Sequence, residues 1–313
     1  MDPLRYLCET VGFFTTAEAK SAGYGDRDIQ KQVRAQVWHR FRRGYFTFGN
    51  LWRDLDAVQR HRVRSHAVLH SLGPSVALSH VSGAIEHELS VWNMPLDRVH
   101  VTRLDGGAGR VEGDVVHHQG VCGTDDVVLV NYHQVLRAER CALEASSRAP
   151  AESALVMLDS LLFLGRSDHD QLMRQFASME RWPFNRRLHV PVRMADAGSQ
   201  SPGESRGRWL FWTHHLPAPQ LQFAVHDSDG VLRGTTDWGW PDHKVLGEFD
   251  GKVKYGKLLK PGQDASSVVF SEKIREDELR ELTSYAVFRL SWSDYDYPTV
   301  TARRIAKLLN RAA

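Results

Sequence analysis

Acidic and apolar side chains alternate within residues 236–251, which predict a strand, a short turn and a second strand. Asp237 lies in the first strand, and Glu248 and Asp250 lie in the second. Because successive side chains of a strand point to opposite faces, Glu248 and Asp250 share one face. Carboxylates on neighbouring strands repel one another unless a cation lies among them, and Mg2+ prefers such oxygen ligands. The stretch therefore predicts either a metal site or a hairpin with solvated acidic side chains.

Composition sets the outer bounds of fold and location. A chain of 313 residues favours two or three domains, and 42% hydrophobic with 25% charged residues is typical of a soluble globular protein. No apolar run approaches the roughly 18 residues of a membrane span, and the N-terminal residues lack a signal-peptide pattern. Three widely separated cysteines favour reduced thiols. We therefore expect a cytoplasmic protein without a membrane segment.

The first 64 residues predict three short helices followed by a β-hairpin. The third helix places apolar Ile29, Val33 and Val37 at intervals of four residues. Residues 38–48 alternate around Gly44, as a tight hairpin does. This order is typical of a winged helix-turn-helix, in which one helix enters the DNA major groove and hairpin arginines meet phosphates or the minor groove.

Positive charge is concentrated in this first segment. Residues 1–64 contain 12 Lys and Arg against 7 Asp and Glu, so their net charge is +5, whereas the whole chain carries +2. A solvated basic helix would account for the charge alone. The basic hairpin directly after a helix rich in glutamine and arginine favours contact with double-stranded DNA.

Two motifs of the first segment resemble those of a known family. Residues 12–19 (GFFTTAEA) and 40–46 (RFRRGYF) are similar to the N-terminal winged-helix domain of AbiEi-type antitoxins, transcriptional regulators of bacterial type IV toxin–antitoxin systems. The resemblance implies a cognate toxin as a partner, and winged-helix proteins often bind palindromic DNA as homodimers. It also implies two sets of DNA-binding residues: Arg27, Gln30, Lys31 and Arg34 for bases or phosphates, and Arg40, Arg42 and Arg43 for the DNA backbone.

Residues 65–195 predict a mixed α/β middle domain without a catalytic motif. The segment 77–85 predicts a helix with Ser79 as its cap. Strands are predicted at 98–102 and 115–118, and further helices at 139–146, 152–164 and 172–179. The pair Ser79 and His80, with strands preceding helices, also resembles the central region of AbiEi-like proteins. That likeness implies an adaptor or partner surface.

Sixteen histidines raise the question of a zinc site. His66 and His70 are four residues apart, but Ala67 stands where a zinc-protease helix needs glutamate. His117 and Cys122 lack a second pair at zinc-finger spacing. The sequence therefore predicts scattered surface or hydrogen-bonded histidines, and no zinc site.

Residues 196–313 predict a third domain with the element order α-β-β-β-α-β-α. Its first helix follows a capping box formed by Ser201 and Glu204. The predicted elements are a helix at 204–214, strands at 220–226, 234–238 and 244–250, a helix at 271–282, a strand at 285–290 and a helix at 298–309. The chain is thus predicted to be α/β, α+β overall, with domains at 1–64, 65–195 and 196–313.

This order, with acidic residues on the first helix and on the second and third strands, resembles the PD-(D/E)XK nuclease fold, especially its small members related to very-short-patch-repair endonucleases. The resemblance is carried by residues 204–206, 237, 248–251, 272–276 and 287–292. It implies hydrolysis of DNA phosphodiesters with Mg2+ or Mn2+, which neutralises the phosphate and stabilises the leaving oxygen. Asp237 and Glu248 would bind the metal. Asp250 would assist as a further ligand, and Glu204 would support them.

The chain departs from this family at one position. Asp250 stands two residues after Glu248, where the family usually has lysine, and Lys252, Lys254 and Lys273 are the candidates for the missing role. Two functions remain open. One is a DNA-binding protein with a Mg2+-dependent nuclease domain, acting in defence or DNA processing. The other is a non-enzymatic autorepressor of the AbiEi type, whose nuclease-like domain serves as a partner platform.

Overall fold

A computed structural model describes residues 2–227, 229–251 and 285–310, and confirms the predicted mixed α/β class. These residues form two compact units. The first comprises the chain up to Met157 together with Arg166–His189, and the second comprises Leu158–Gly165 together with the described residues from Val190 onward. Within the described ranges, no helix is both long enough and apolar enough to cross a membrane.

The start of the first unit contains three short helices and a three-stranded sheet. The elements are α1 (Pro3–Thr10), β1 (Phe14–Thr15), α2 (Thr16–Ser21), α3 (Asp26–Arg34), β2 (Trp38–Arg42) and β3 (Tyr45–Phe48). The sheet order is β1-β3-β2, and all pairs are antiparallel. Gly44 has a φ of +80° in the turn between β2 and β3, a left-handed conformation that favours glycine. Phe14, Trp38 and Phe46 form the aromatic centre of the core.

The third helix is shorter than its apolar pattern predicts. It ends at Arg34, and Gln36 has a φ of +57° just beyond it. Val37 is therefore outside the helix and exposed, whereas Ile29 is buried and Val33 packs against the same core. The prediction of Val37 on the apolar helix face was wrong because the chain reverses before that position.

The rest of the first unit is built on a six-stranded mixed sheet flanked by helices. The strands are β4 (Val76–Leu78), β5 (Val99–Arg103), β6 (Arg110–Glu112), β7 (Val115–His118), β8 (Val127–Val130) and β9 (His133–Leu136), in the order β6-β7-β5-β4-β9-β8. The helices are α4 (Gly49–Asp54), α5 (Ala57–Leu72), α6 (His80–Glu86), α7 (Ala138–Ser146), α8 (Ala151–Phe163) and α9 (His169–Ser178). The predicted domain boundary at residue 64 falls inside α5. Helix α8 is shared between the units, because its residues up to Met157 belong to the first and those from Leu158 belong to the second.

The predicted helix at 77–85 is a strand followed by a shorter helix. Residues Val76–Leu78 form β4, which pairs with β5 antiparallel and with β9 parallel. Ser79 occupies the N-cap position of α6, but its side chain makes no capping hydrogen bond. All three residues of β4 are buried, and a short apolar run at a sheet centre has no periodicity that separates strand from helix.

The second unit has a four-stranded sheet covered by helices. Its elements include α10 (His189–Met194), α11 (Pro202–Thr213), β10 (Gln220–His226), β11 (Leu232–Trp240), β12 (Val245–Asp250), β13 (Ala286–Ser291) and α12 (Pro298–Leu309). The order is β10-β11-β12-β13, antiparallel except for the parallel pair β12–β13. Trp238, Trp240, Phe211 and Phe288 dominate the core. The predicted helix at 271–282 lies outside the described residues.

Two glycines allow α11 to lie close to this sheet. A Cβ atom at Gly207 would come within 2.3 Å of the Trp238 ring, and one at Gly203 within 2.0 Å of the Phe249 ring. Trp238 is fully buried, so its ring has little freedom to move aside. The close approach fixes the position of Glu204, which lies between the two glycines.

We expect Gly207→Ala to destabilise the chain, because the added methyl group meets a rigid buried ring. Overpacking of this kind typically costs about 1–3 kcal/mol. Thermal unfolding followed by circular dichroism measures the effect. Gly251→Ala is the matched control, since its Cβ would meet the Phe249 ring at an ordinary 3.6 Å. Equal melting temperatures for the two variants would contradict this account of the α11 packing.

Candidate functional site

One face of α3 is polar and basic. Ile29 is buried on the other side of the helix, so the opposite face points to solvent. That exposed face contains residues at positions i, i+3, i+4 and i+7, which lie above one another on an α-helix. We call it the α3 basic face, and its members are Arg27, Gln30, Lys31 and Arg34.

The hairpin arginines differ in their surroundings. Arg40 and Arg43 are exposed, but Arg42 is half-buried and forms an ion pair with Asp114. The strand pairing shifts between Arg40 and Arg42, which is the irregularity that turns Arg42 out of the regular alternation. Within the described part of the chain, the cations of the α3 basic face and Arg40 and Arg43 form no ion pair, whereas the charge of Arg42 is balanced locally.

Glu204 is a buried carboxyl on α11. It is 7% exposed, and its Oε2 accepts hydrogen bonds from the backbone N–H of Gln200 at 2.9 Å and from Gln222 Nε2 at 3.2 Å. The predicted capping box is only half formed, because the Glu204 side chain binds the Gln200 amide, not that of Ser201. Burial raises the pKa of Glu204 to about 7, and the negative charge of Asp237 adds to the rise.

Asp237 lies where the pairing of β11 with β12 ends. The last paired residues towards this end are Trp238 and Gly247. One step beyond, Asp237 Oδ2 accepts a hydrogen bond of 2.6 Å from the backbone N–H of Phe249. A side chain thus replaces the backbone carbonyl that would continue the ladder. The Asp237 carboxylate lies against the backbone between Glu248 and Asp250.

Glu248 faces a cation from the neighbouring strand. It is 8% exposed, and its Oε2 accepts hydrogen bonds from Arg289 Nη2 at 3.2 Å and Nε at 3.4 Å. The parallel register of β12 and β13 places Arg289 directly beside Glu248 and Ser291 beside Asp250. A metal at Glu248 would share this carboxylate with a guanidinium group. Lys252, Lys254 and Lys273, the predicted substitutes for the family lysine, lie outside the described residues.

The first unit contains a cluster of three histidines that the sequence did not predict. Among the described residues, one group of three metal-ligand side chains has all its ligand atoms within 4.8 Å of one another. Its members are His80, His100 and His118. We call it the histidine cluster. The set of Asp237, Glu248 and Asp250 forms no such group. His80 begins α6, His100 lies in β5 and His118 lies in β7, so sequence spacing gives no signal for the cluster.

Electrostatics keep part of this cluster uncharged. Burial, and then electrostatic repulsion from the neighbouring imidazole of His80, lower the pKa of His100 to about 3 and that of His118 to about 2. Burial raises the pKa of Glu144, but the charges and hydrogen bonds of His80 and Arg140 outweigh it and lower that pKa to about 2. At neutral pH, His100 and His118 are neutral and Glu144 is ionised.

The two histidines tested in the sequence for a zinc-protease motif have hydrogen-bond partners of other kinds. His66 Nε2 lies 2.9 Å from Glu86 Oε2, and His70 Nδ1 lies 3.0 Å from the Tyr45 hydroxyl. Neither belongs to the histidine cluster. These two residues are therefore hydrogen-bonded histidines, one of the two kinds that the sequence predicted.

We expect Glu204→Gln to flatten the dependence of stability on pH. The Glu204 carboxyl binds its proton more tightly in the folded chain, with its pKa raised from 4.5 to about 7. The folded state is therefore favoured most below pH 4.5, and this contribution is lost as the pH rises to about 7. Over that range the parent should lose up to about 3 kcal/mol of unfolding free energy relative to the variant.

Chemical denaturation at several pH values measures this difference. Asp242→Asn, which removes an exposed carboxyl in the same unit, should leave the pH profile of the parent unchanged. Coincident profiles for Glu204→Gln and the parent would show that Glu204 titrates normally in the folded chain.

Comparison with known proteins gives distant similarities. No protein-family model matches the chain. The uncharacterized proteins MT2308 and Rv2248 of Mycobacterium tuberculosis are each 26% identical to it over 152 residues, covering 43% of this chain and 54% of the relative. The chain thus spans about half the length of the curated relatives it matches. The crystal structure of the RV2827C protein from the same organism covers 70% of this chain and 83% of its own, with 15% identity and a TM-score of 0.37.

Proposed function

We propose that the chain is a DNA-binding protein that contacts double-stranded DNA through a winged helix-turn-helix formed by α1–α3 and β1–β3. The observation that supports this most directly is the α3 basic face. It combines three exposed cations with one amide on a helix whose other side is anchored in the core. A helix of this width fits the major groove, where arginine, lysine and glutamine are suited to base edges and phosphates.

The hairpin adds a second set of contacts. Arg40 and Arg43 are exposed on β2 and the turn that follows, and phosphate binding needs such accessible cations. Arg42 was predicted to belong to the same set, but its ion pair with Asp114 already balances its charge. We therefore assign the phosphate contacts of the hairpin to Arg40 and Arg43, and a positioning role within the first unit to Arg42.

We expect the triple variant Arg27→Ala, Lys31→Ala, Arg34→Ala to bind DNA at least about 100-fold more weakly, because both base and phosphate contacts are lost. The slope of log affinity against log salt concentration should fall by about 2 to 3. Fluorescence anisotropy measures both, using a duplex selected by the full-length chain from a random pool.

The matched control is the triple variant Arg174→Ala, Arg181→Ala, Arg186→Ala, which removes the same charge from exposed positions outside the proposed interface. Arg43→Ala should weaken binding more than Arg42→Ala. An equal loss for both triple variants would reduce the effect to net charge and contradict a specific interface on α3.

A second candidate function, Mg2+-dependent hydrolysis of DNA, has support of its own. The second unit has a helix followed by three antiparallel strands and a fourth strand parallel to the third, which agrees with the PD-(D/E)XK order where it is described. Glu204 and Asp237 are close enough for the charge of one to raise the pKa of the other. A divalent cation would relieve that repulsion, and the oxygen donors Asp237, Glu248 and Asp250 suit Mg2+ or Mn2+.

The ion pair of Glu248 with Arg289 favours the alternative, a non-enzymatic autorepressor with a toxin as partner. In that case Arg289 neutralises the carboxylate permanently and no metal is required. As a nuclease, the chain would use Asp237 and Glu248 as ligands, with Glu204 and Asp250 in support. Arg289 is the cation that the described residues place beside them.

Cleavage of plasmid DNA with Mg2+ or Mn2+ separates these functions. If the chain is a nuclease, Asp237→Asn should reduce cleavage by about 100-fold or more, because the variant keeps an oxygen acceptor for the Phe249 amide but loses the charge that binds the metal. Asp242→Asn is the matched control on the exposed surface. Absence of cleavage by the parent, with intact DNA binding, would select the autorepressor. Equal cleavage by Asp237→Asn and the parent would rule out this metal site.

A further inference from the structure

We propose that the histidine cluster is a binding site for a first-row transition-metal dication such as Zn2+, with the imidazoles of His80, His100 and His118 as its three protein ligands. The site lies in the first unit, and none of its three ligands belongs to the residues proposed to contact DNA.

Two of the ligands are neighbours on one face of the sheet. β5 and β7 are parallel, with His100 beside Val116 and Thr102 beside His118. Because side chains alternate between faces, His100 and His118 project to the same side, diagonally across the pair. His100 Nδ1 and His118 Nε2 share a hydrogen bond of 2.9 Å, and a tautomer that carries this proton on the other ring nitrogen would let both atoms bind one ion. The ligand nitrogens of a tetrahedral zinc site are about 3.3 Å apart, since each Zn–N bond is about 2.0–2.1 Å long.

His80 completes the group from the start of α6. Its ring is stacked on that of His118, with centroids 3.7 Å apart and planes at 16°. All three ligand atoms lie within 4.8 Å of one another, and turning the rings out of their stacked arrangement would direct their lone pairs at one ion. His80 also has a φ of +50°, a left-handed conformation that is costly for a residue with a side chain. Such conformations concentrate at functional positions.

A buried carboxylate orients His80 as it does in many metal sites. His80 Nδ1 lies 3.1 Å from Glu144 Oε2, and its backbone N–H donates to the same oxygen at 3.3 Å. In a metal-binding histidine, the ring nitrogen that does not bind the metal commonly donates a hydrogen bond to a carboxylate. This bond fixes the orientation of the ring and makes the other nitrogen a stronger ligand. With Nδ1 occupied in this way, Nε2 of His80 is the nitrogen left for a metal.

This carboxylate is itself held in place. The Glu144 side chain is 3% exposed, and Arg140 Nε donates to its Oε1 at 3.0 Å. Arg140 in turn forms an ion pair of 2.9 Å with Asp126. The chain from Asp126 through Arg140 and Glu144 to His80 is a fixed support for one ligand.

The ligand types determine which metals fit. Three imidazoles suit Zn2+, Co2+, Ni2+ or Cu2+ and not Mg2+, which prefers oxygen. Three protein ligands leave a fourth tetrahedral position for water or an added ligand. This site therefore differs in metal class from the carboxylates of the second unit.

Metal titration of the full-length, chelator-treated chain tests the proposal. We expect one equivalent of Co2+ to give the visible absorption of four-coordinate cobalt, and Zn2+ to displace it. His100→Ala and His118→Ala should each weaken Zn2+ binding by more than about 100-fold, and Glu144→Gln by about 10- to 100-fold. X-ray absorption of the Zn2+-loaded parent should show three imidazole ligands.

Two further variants control for histidines elsewhere. His169→Ala removes an exposed histidine, and His133→Ala removes one that packs against His66 at 3.9 Å; both should bind Zn2+ like the parent. His118→Asn, similar in size to histidine, keeps the test valid if His118→Ala fails to fold. The proposal is overturned if the parent binds no stoichiometric metal, or if the control variants lose as much affinity as those of the cluster.

Discussion

Parallel pairing between strands that are distant in sequence decides which polar side chains meet in this protein. In the second unit, β12 and β13 place Arg289 against Glu248. In the first unit, β5 and β7 bring His100 and His118 to one face of their sheet. Parallel strands need a long crossover connection, so no local turn sets their register. The contacts between polar side chains in both regions therefore depend on how the strands pair in each sheet and not on any local motif.

Buried carboxyl groups have two different kinds of hydrogen-bond partner. Glu144 and Glu248 each accept hydrogen bonds from an arginine, and Asp159 does so from Arg208 at 2.8 Å. Leaving a buried charge unpaired would cost several kcal/mol per ion, because the charge loses its hydration by water. Glu204 instead accepts from two amide groups, and its pKa rises. Burial also raises the pKa of Asp159, to about 6, although its partner Arg208 opposes the rise.

Local signals in the sequence predicted much of the fold. The hairpin around Gly44, strand β7 and helix α12 follow from turn chemistry, alternation and a Pro at the helix start. Long-range effects could not be read in this way. The strand at Val76–Leu78 is defined by its two sheet partners, and the ion pair of Arg42 joins residues 72 positions apart. The residues of the α3 basic face were predictable because helical spacing is local, whereas the histidine cluster joins three separate elements.

The four-residue strand β7 has a further consequence for how the first unit responds to ligands. Asp114, which holds the hairpin residue Arg42, immediately precedes the strand, and His118 ends it. A strand of this length spans about 13 Å, and Asp114 and His118 lie at its two ends. If an ion at His118 shifts β7, the ion pair between Asp114 and Arg42 changes with it. If the hairpin binds DNA as proposed, thermodynamic reciprocity requires that the DNA and the ion alter each other's affinity by the same factor. Strand β7 would then couple the binding of a metal ion to the binding of a nucleic acid.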